Sequence, residues 1–135
     1  MSDQDDVELV NDSLERCTRR HEFFEAFYRR FSESSDEVAA KFAGTDLRGQ
    51  TRALRESFYL LLRALGGEPD AWQSLELRAL RHDRRHLDIR PGLYGLWLEC
   101  LLETIRSFDP KVDATIEAAW RRTMKKGIDF MIERY

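Results

Sequence analysis

Proline and cysteine are scarce in this chain, long apolar runs are missing, and neither sign of charge dominates. The two cysteines, Cys17 and Cys100, are too few for a disulfide framework. They are also too far apart for metal-type spacing. Each sits among apolar residues at helical spacing and reads as a small, reduced core residue. The longest apolar run, FYLLL, is far too short to span a bilayer. The first residues, MSDQDDVELV, are acidic and carry no apolar signal region, so the cytoplasm is the expected compartment. With 22 basic and 25 acidic residues the formal charge is -3. That balance gives no reason to expect a nucleic-acid or membrane-surface partner. Glycine-rich phosphate loops, nucleophile elbows and catalytic Cys–His pairs are absent from the sequence. So are strand-like alternation, internal repeats and low-complexity segments, which points to an all-α chain.

Apolar residues make up 42% of the chain and charged residues 35%. That suits one soluble domain over 1–135, with 1–5 expected as a flexible tail. Apolar periodicity divides it into seven helices. The first is expected from about Asp5 to Arg20, with Val7, Val10, Leu14 and Cys17 on one stripe. The second runs from about Glu22 to Ser34 and is aromatic on one broad face: Phe23, Phe24, Phe27, Tyr28 and Phe31. Ser35 can cap a short third helix, DEVAAKF, that Gly44 ends. Thr45 or Asp46 can cap a long fourth helix reaching Leu65, where Gly66, Gly67 and Pro69 stop it. The fifth is expected from about Asp70 to Arg85 and puts Trp72, Leu75, Ala79 and His82 at helical spacing. Pro91 opens the sixth, which continues to Phe108. The last begins after Asp109-Pro110 and carries Ile116, Trp120, Met124, Ile128 and Met131. Short helices joined by tight breaks must cross steeply, which argues against a simple four-helix bundle.

A few residues stand out against this background. His82 falls on the expected inner face of the fifth helix. A neutral imidazole there is a good iron ligand once a second-shell acceptor, such as the Arg78 carbonyl one turn back, fixes its tautomer. Read locally, among arginines, it fits a partly exposed surface histidine better, and the case for ligation comes from what surrounds it. His86 lies four residues on, so both His82 and His86 remain candidate metal ligands. A zinc or di-iron pair is poorly supported, because only His21 lies elsewhere. Tyr28 is a phenol on an aromatic face and needs a hydrogen-bond partner. Tyr28 and Gln50 can supply donors to a small ligand, with Leu54 and Phe42 as an apolar wall. Arg81, Arg84 and Arg85 read as a solvated face, any one of which can pair with an anionic group.

These residues carry a resemblance to the single-domain bacterial globins. FYRRFSESSDEVAAKF is similar to the second and third helices of flavohaemoglobin-type globins, which places Tyr28 on the gas-binding side and Phe42 against haem. QTRAL resembles the distal-helix motif and gives Gln50 and Leu54. HDRRHLDIRPGLYGLWL resembles the stretch around the proximal histidine of a bacterial subgroup. There the ligand precedes the proline by nine residues, which favours His82 over His86. The more usual globin spacing of seven would fall on Arg84, and Asp36 replaces the customary proline ahead of the third helix.

The resemblance implies a globin-like fold around haem b, with iron on His82 and with Phe42, Leu54, Leu87 and Tyr94 packing the cofactor. It implies Tyr28 and Gln50 as the polar residues facing oxygen, carbon monoxide or nitric oxide. A reversible gas carrier, store or gas-handling protein follows as the leading expectation, ahead of an enzyme. Two alternatives are a haem-free signalling module of the same fold, and a haem enzyme acting on nitric oxide or peroxide with an external reductant. The two tryptophans of the last two helices suggest a homodimer interface there.

Overall fold

The computed structural model describes residues 3–135, with the Asp3 side chain left aside. Among them seven helices form and no strand: α1 (Asp3–Thr18), α2 (Phe23–Ser34), α3 (Asp36–Phe42), α4 (Leu47–Leu65), α5 (Pro69–His82), α6 (Gly92–Phe108) and α7 (Ala114–Glu133). The tail expected over 1–5 is thus helical from Asp3, while Met1 and Ser2 lie outside the described residues. No helix among the described residues is long and apolar enough to cross a membrane.

Local chemistry sets most of the boundaries. The Ser35 hydroxyl accepts from the Val38 amide at 3.1 Å and starts α3. Asp46, not Thr45, starts α4 by accepting from the Arg48 amide at 3.1 Å. Asp113 does the same for α7 through the Ile116 amide at 2.8 Å, so this helix begins three residues later than the Asp109-Pro110 break suggests. Each bond satisfies an amide that has no partner within its helix. Pro69 occupies the first turn of α5, and Pro91 stands just ahead of α6 with helical φ of -51°. Gly67, at φ +101°, makes the reversal between α4 and α5 in a region that side chains avoid.

The expectation that α5 reaches Arg85 is wrong by three residues. The Asp83 carboxylate accepts from the Arg85 amide at 2.9 Å and from the His86 ring at 2.8 Å. These bonds offer the backbone an alternative to the next helical turn. The chain leaves the helix, reaches Asp88 at φ +52°, and returns an Ile89 amide to the His82 carbonyl at 3.0 Å.

The helices pack in pairs, α1 on α7, α2 on both α3 and α6, and α4 on α5. Their shared core holds Phe23, Phe24, Phe27, Leu101, Leu102, Ile105 and Trp120, all essentially without solvent contact. Rings meet edge to face, as at Phe58–Trp120 and Phe27–Trp97, with centroids 6.1 and 5.8 Å apart. At Gly127 a side chain would meet Leu61 Cδ2 at 2.9 Å, so glycine leaves room on α7 for the end of the Leu61 side chain. The tryptophans expected to build a dimer face turn inward instead. Trp120 is fully buried, and half-buried Trp97 packs on Phe27 and Phe58.

Candidate functional site

Helices α4 and α5 touch but do not close on each other along their whole length. Between them lies a slot of two lobes, about 230 and 150 Å³, which share a wall of Leu54, Ser57, Arg78, His82, Tyr94 and Trp97. The larger lobe extends towards α2 and α3 and is lined by Tyr28, Phe31, Val38, Phe42, Gln50, Ile89 and Leu93, with the exposed Leu87 at its mouth. The smaller lobe extends under α7, against Leu75, Met124, Gly127, Ile128, Phe130 and Met131. All seven residues singled out from the sequence as holding a cofactor or facing its ligand line this one slot: Tyr28, Phe42, Gln50, Leu54, His82, Leu87 and Tyr94.

His82 is the last residue of α5 and is half-buried on the slot wall. Its Nδ1 lies 2.7 Å from the Arg78 carbonyl oxygen. A carbonyl only accepts, so the proton resides on Nδ1 and the lone pair on Nε2. Nε2 has no hydrogen-bond partner among the described residues. Burial pushes the imidazole pKa below its ordinary value, outweighing the opposite pull of the Arg78 carbonyl, and the charges of Arg78 and Arg81 push the same way. The ring is therefore held neutral, in one tautomer, with one basic nitrogen available.

His86 has a different setting. It lies in the turn after α5, exposed, with its Nδ1 on Asp83 and outside the slot. The helix that would have stacked it over His82 ends first. Among the described residues no group of three or more His, Cys, Asp or Glu side chains is placed to hold a metal ion.

Across the slot, the Tyr28 hydroxyl donates to the Gln50 backbone carbonyl at 3.0 Å. Burial raises the phenol pKa well above its usual value, so it stays protonated. Tyr28 and Gln50 thus meet through the Gln50 main chain, which leaves the Gln50 amide group as the side-chain donor on that wall without an internal partner. Phe42 packs edge-on against Tyr28 and Phe31, with centroids 5.3 and 5.8 Å away. Leu54 is buried beside them, whereas Leu87 stands at the mouth and is 55% exposed. Tyr94, also on the wall, has its phenol pushed up to about 12 by burial.

Arg81, Arg84 and Arg85 are exposed, as expected of a solvated face, and the cations of the site are others. Arg84 stacks on Tyr135 at 4.9 Å and donates to its carbonyl, and Arg81 and Arg85 do not line the slot. Arg78 and Lys41 do. Arg78 is tied to Glu56 at 3.1 Å, and Lys41 donates to the Leu87 carbonyl at 2.9 Å. The sequence held a signal for Arg78, which lies one turn before His82 on the same helix face. Lys41, Ser57, Ile89 and Trp97 carried no signal that sets them apart from surface or core.

No protein-family model matches the chain, and no curated protein matches it. Among solved structures it is similar to a Pseudomonas aeruginosa PAO1 protein described as structurally highly homologous to a human haemoglobin. The two share 38% identity over 96% of this chain and 98% of that one, with a TM-score of 0.91. Likeness at that level, over nearly the full length of both molecules, shows that the chain belongs to the globin-like family.

Proposed function

We propose that the chain is a haem-binding globin that binds oxygen and other diatomic gases reversibly, as a carrier, store or gas-handling protein of the cytoplasm. The observation that carries this reading is His82: a neutral, tautomer-fixed imidazole with a free Nε2 on the wall of an otherwise largely apolar slot. The donor set suits haem b. A single imidazole nitrogen is the protein's share of a haem iron's coordination, and a flat apolar macrocycle needs two walls. When bound, haem would supply an iron that one protein side chain can hold and a diatomic gas can bind. His82 would hold the iron through Nε2. Phe42, Leu54 and Trp97 would exclude water, Tyr94 and Leu87 would pack the macrocycle, and Arg78 and Lys41 offer charge to its carboxylates. The Gln50 amide can donate a hydrogen bond to a diatomic ligand, while Tyr28, its proton given to the Gln50 carbonyl, faces that ligand with its oxygen and ring. One such bond is worth about 1–3 kcal/mol, roughly ten- to a hundred-fold in retention. Cys17 and Cys100 are buried free thiols, in keeping with a reducing compartment.

The test is an absorption spectrum of purified protein, reduced, with and without carbon monoxide. A Soret band that shifts on carbon monoxide is expected. His82→Ala should abolish or strongly weaken it and His86→Ala should leave it intact. A protein that stays colourless after haem is added overturns the proposal.

A further inference from the structure

The two ends of Arg78 serve opposite walls of the slot. Its main-chain carbonyl holds the His82 ring on α5 at 2.7 Å. Its side chain leaves that helix and crosses to α4, where Nη2 donates to Glu56 at 3.1 Å. Nη1 reaches the Ala53 carbonyl only at 3.5 Å, and the Ser57 hydroxyl already donates to that oxygen at 2.8 Å. Nε has no hydrogen-bond partner among the described residues. Of the two cations on the slot, Lys41 lines the larger lobe alone, whereas Arg78 lines both. The guanidinium is 24% exposed, and its one ion-pair partner is itself 60% exposed. A pair so open to water is worth little and exchanges easily.

We infer that Arg78 is the specificity-determining residue of the slot. It selects a flat apolar ligand that carries a carboxylate, and that carboxylate takes the guanidinium over from Glu56. This role rests on the reading of the slot as a porphyrin site. A planar fork of N–H donors matches a carboxylate as no apolar wall can. The body of the ligand would shield the guanidinium on the slot side, so the new pair is less hydrated, and stronger, than the one with Glu56. A ligand of the same shape without a carboxylate would shield the same charge and leave it unpaired on that side. Glu56 is thus a competitor for Arg78 and not a part of the ligand's binding.

Metal-free protoporphyrin IX and its dimethyl ester are the probes. Each is titrated into the full chain and followed by quenching of tryptophan fluorescence, to which Trp97 on the shared wall contributes. Neither carries iron, so neither requires His82 as a ligand. The diacid is expected to bind at least about tenfold more tightly than the diester. Arg78→Gln should erase that preference by weakening the diacid alone, and Arg78→Lys should restore part of it. Both keep the main-chain carbonyl that holds His82, and unaltered diester binding shows the slot still folded. Glu56→Gln should tighten the diacid severalfold. Arg85→Gln, which removes an exposed cation outside the slot, should leave the preference unchanged. Equal weakening of both porphyrins by Arg78→Gln would make the side chain a structural prop. A parent without the preference, or weaker diacid binding in Glu56→Gln, also overturns the inference. A chain whose haem spectrum responds to carbon monoxide but which shows no diacid preference loses this selection and keeps the proposed function. A diacid preference in a chain that gives no haem spectrum does the reverse, and a chain that binds neither porphyrin loses both.

Discussion

The proton on His82 Nδ1 is held by the Arg78 carbonyl 2.7 Å away, and that bond determines which nitrogen can meet a metal. A similar division of labour operates on the opposite wall. The Tyr28 hydroxyl spends its proton on the Gln50 carbonyl, so it braces the start of α4 as well as facing the slot. Tyr28→Phe removes that bond, while the Gln50 carbonyl keeps its partner within α4, at a cost of about 1 kcal/mol in urea unfolding. Gln50→Leu removes a donor that has no internal partner and should hasten oxygen release roughly tenfold in stopped-flow measurements on the haem-loaded protein. If Tyr28→Phe sped release more than Gln50→Leu, the two roles would be reversed. Tyr28 and His82 were legible in the sequence as polar groups on otherwise apolar faces, whereas Gln50 alone read as a solvated residue and stood out only beside Tyr28 and through the resemblance of QTRAL to the distal-helix motif. Their hydrogen bonds were less so. Tyr28 meets a backbone oxygen, and no side-chain pattern records where a carbonyl points.

At the scale of the elements, one buried carboxylate ties the start of the chain to its end. Asp109 follows α6, is 2% exposed, and accepts from Arg16 at 2.6 and 3.0 Å, from Ser13 at 2.6 Å and from the Lys111 amide at 2.9 Å. The Ser13 hydroxyl in turn accepts from the Trp120 indole at 2.9 Å, so α1, α6 and α7 meet at one polar knot. Burial alone would raise the Asp109 pKa, but the hydrogen bonds from Arg16 and Ser13 outweigh it and hold it below the ordinary value of 3.8. Its stabilising contribution is therefore complete above pH 3.8 and drains away as pH falls through the lowered value. Asp6, held low by Arg122 at 2.8 Å, behaves likewise and reinforces the same acid transition. Asp109→Ala should cost about 2–3 kcal/mol in chemical unfolding near neutral pH, since Arg16 keeps some access to water. It should also flatten the loss of stability below pH 4. An unchanged acid transition in that variant would exclude Asp109 as its source. The seven helices themselves were readable because apolar periodicity and capping residues agree along nearly the whole chain. The end of α5 was not, because Asp83 competes for the backbone through its side chain, and periodicity is blind to that contest.

For the molecule as a whole, the fold was easier to read than the slot. Apolar stripes say which faces turn inward, but they do not say whether two such faces meet or stand apart. Leu54 and Leu75 would have the same pattern in a closed core. What marks the gap is the presence on its walls of groups that a closed core would not hold, namely His82, Arg78, Gln50 and Ser57 beside lobes of about 230 and 150 Å³. An open slot leaves α4 and α5 short of the contacts they would share across it, so filling it should stabilise the whole chain. A ligand at a hundredfold excess over its dissociation constant adds about 2.7 kcal/mol by mass action. For a chain of this length each kcal/mol moves the thermal midpoint by about 3–4 °C. Haem added to the haem-free protein should therefore raise the midpoint by about 10 °C in scanning calorimetry. His82→Ala should lose most of that gain while its haem-free midpoint stays close to that of the parent, because the half-buried ring contributes only one hydrogen bond to the fold. A haem-free midpoint that falls with His82→Ala as far as the haem-induced gain would make the histidine a structural residue first, and the slot a cavity without its ligand.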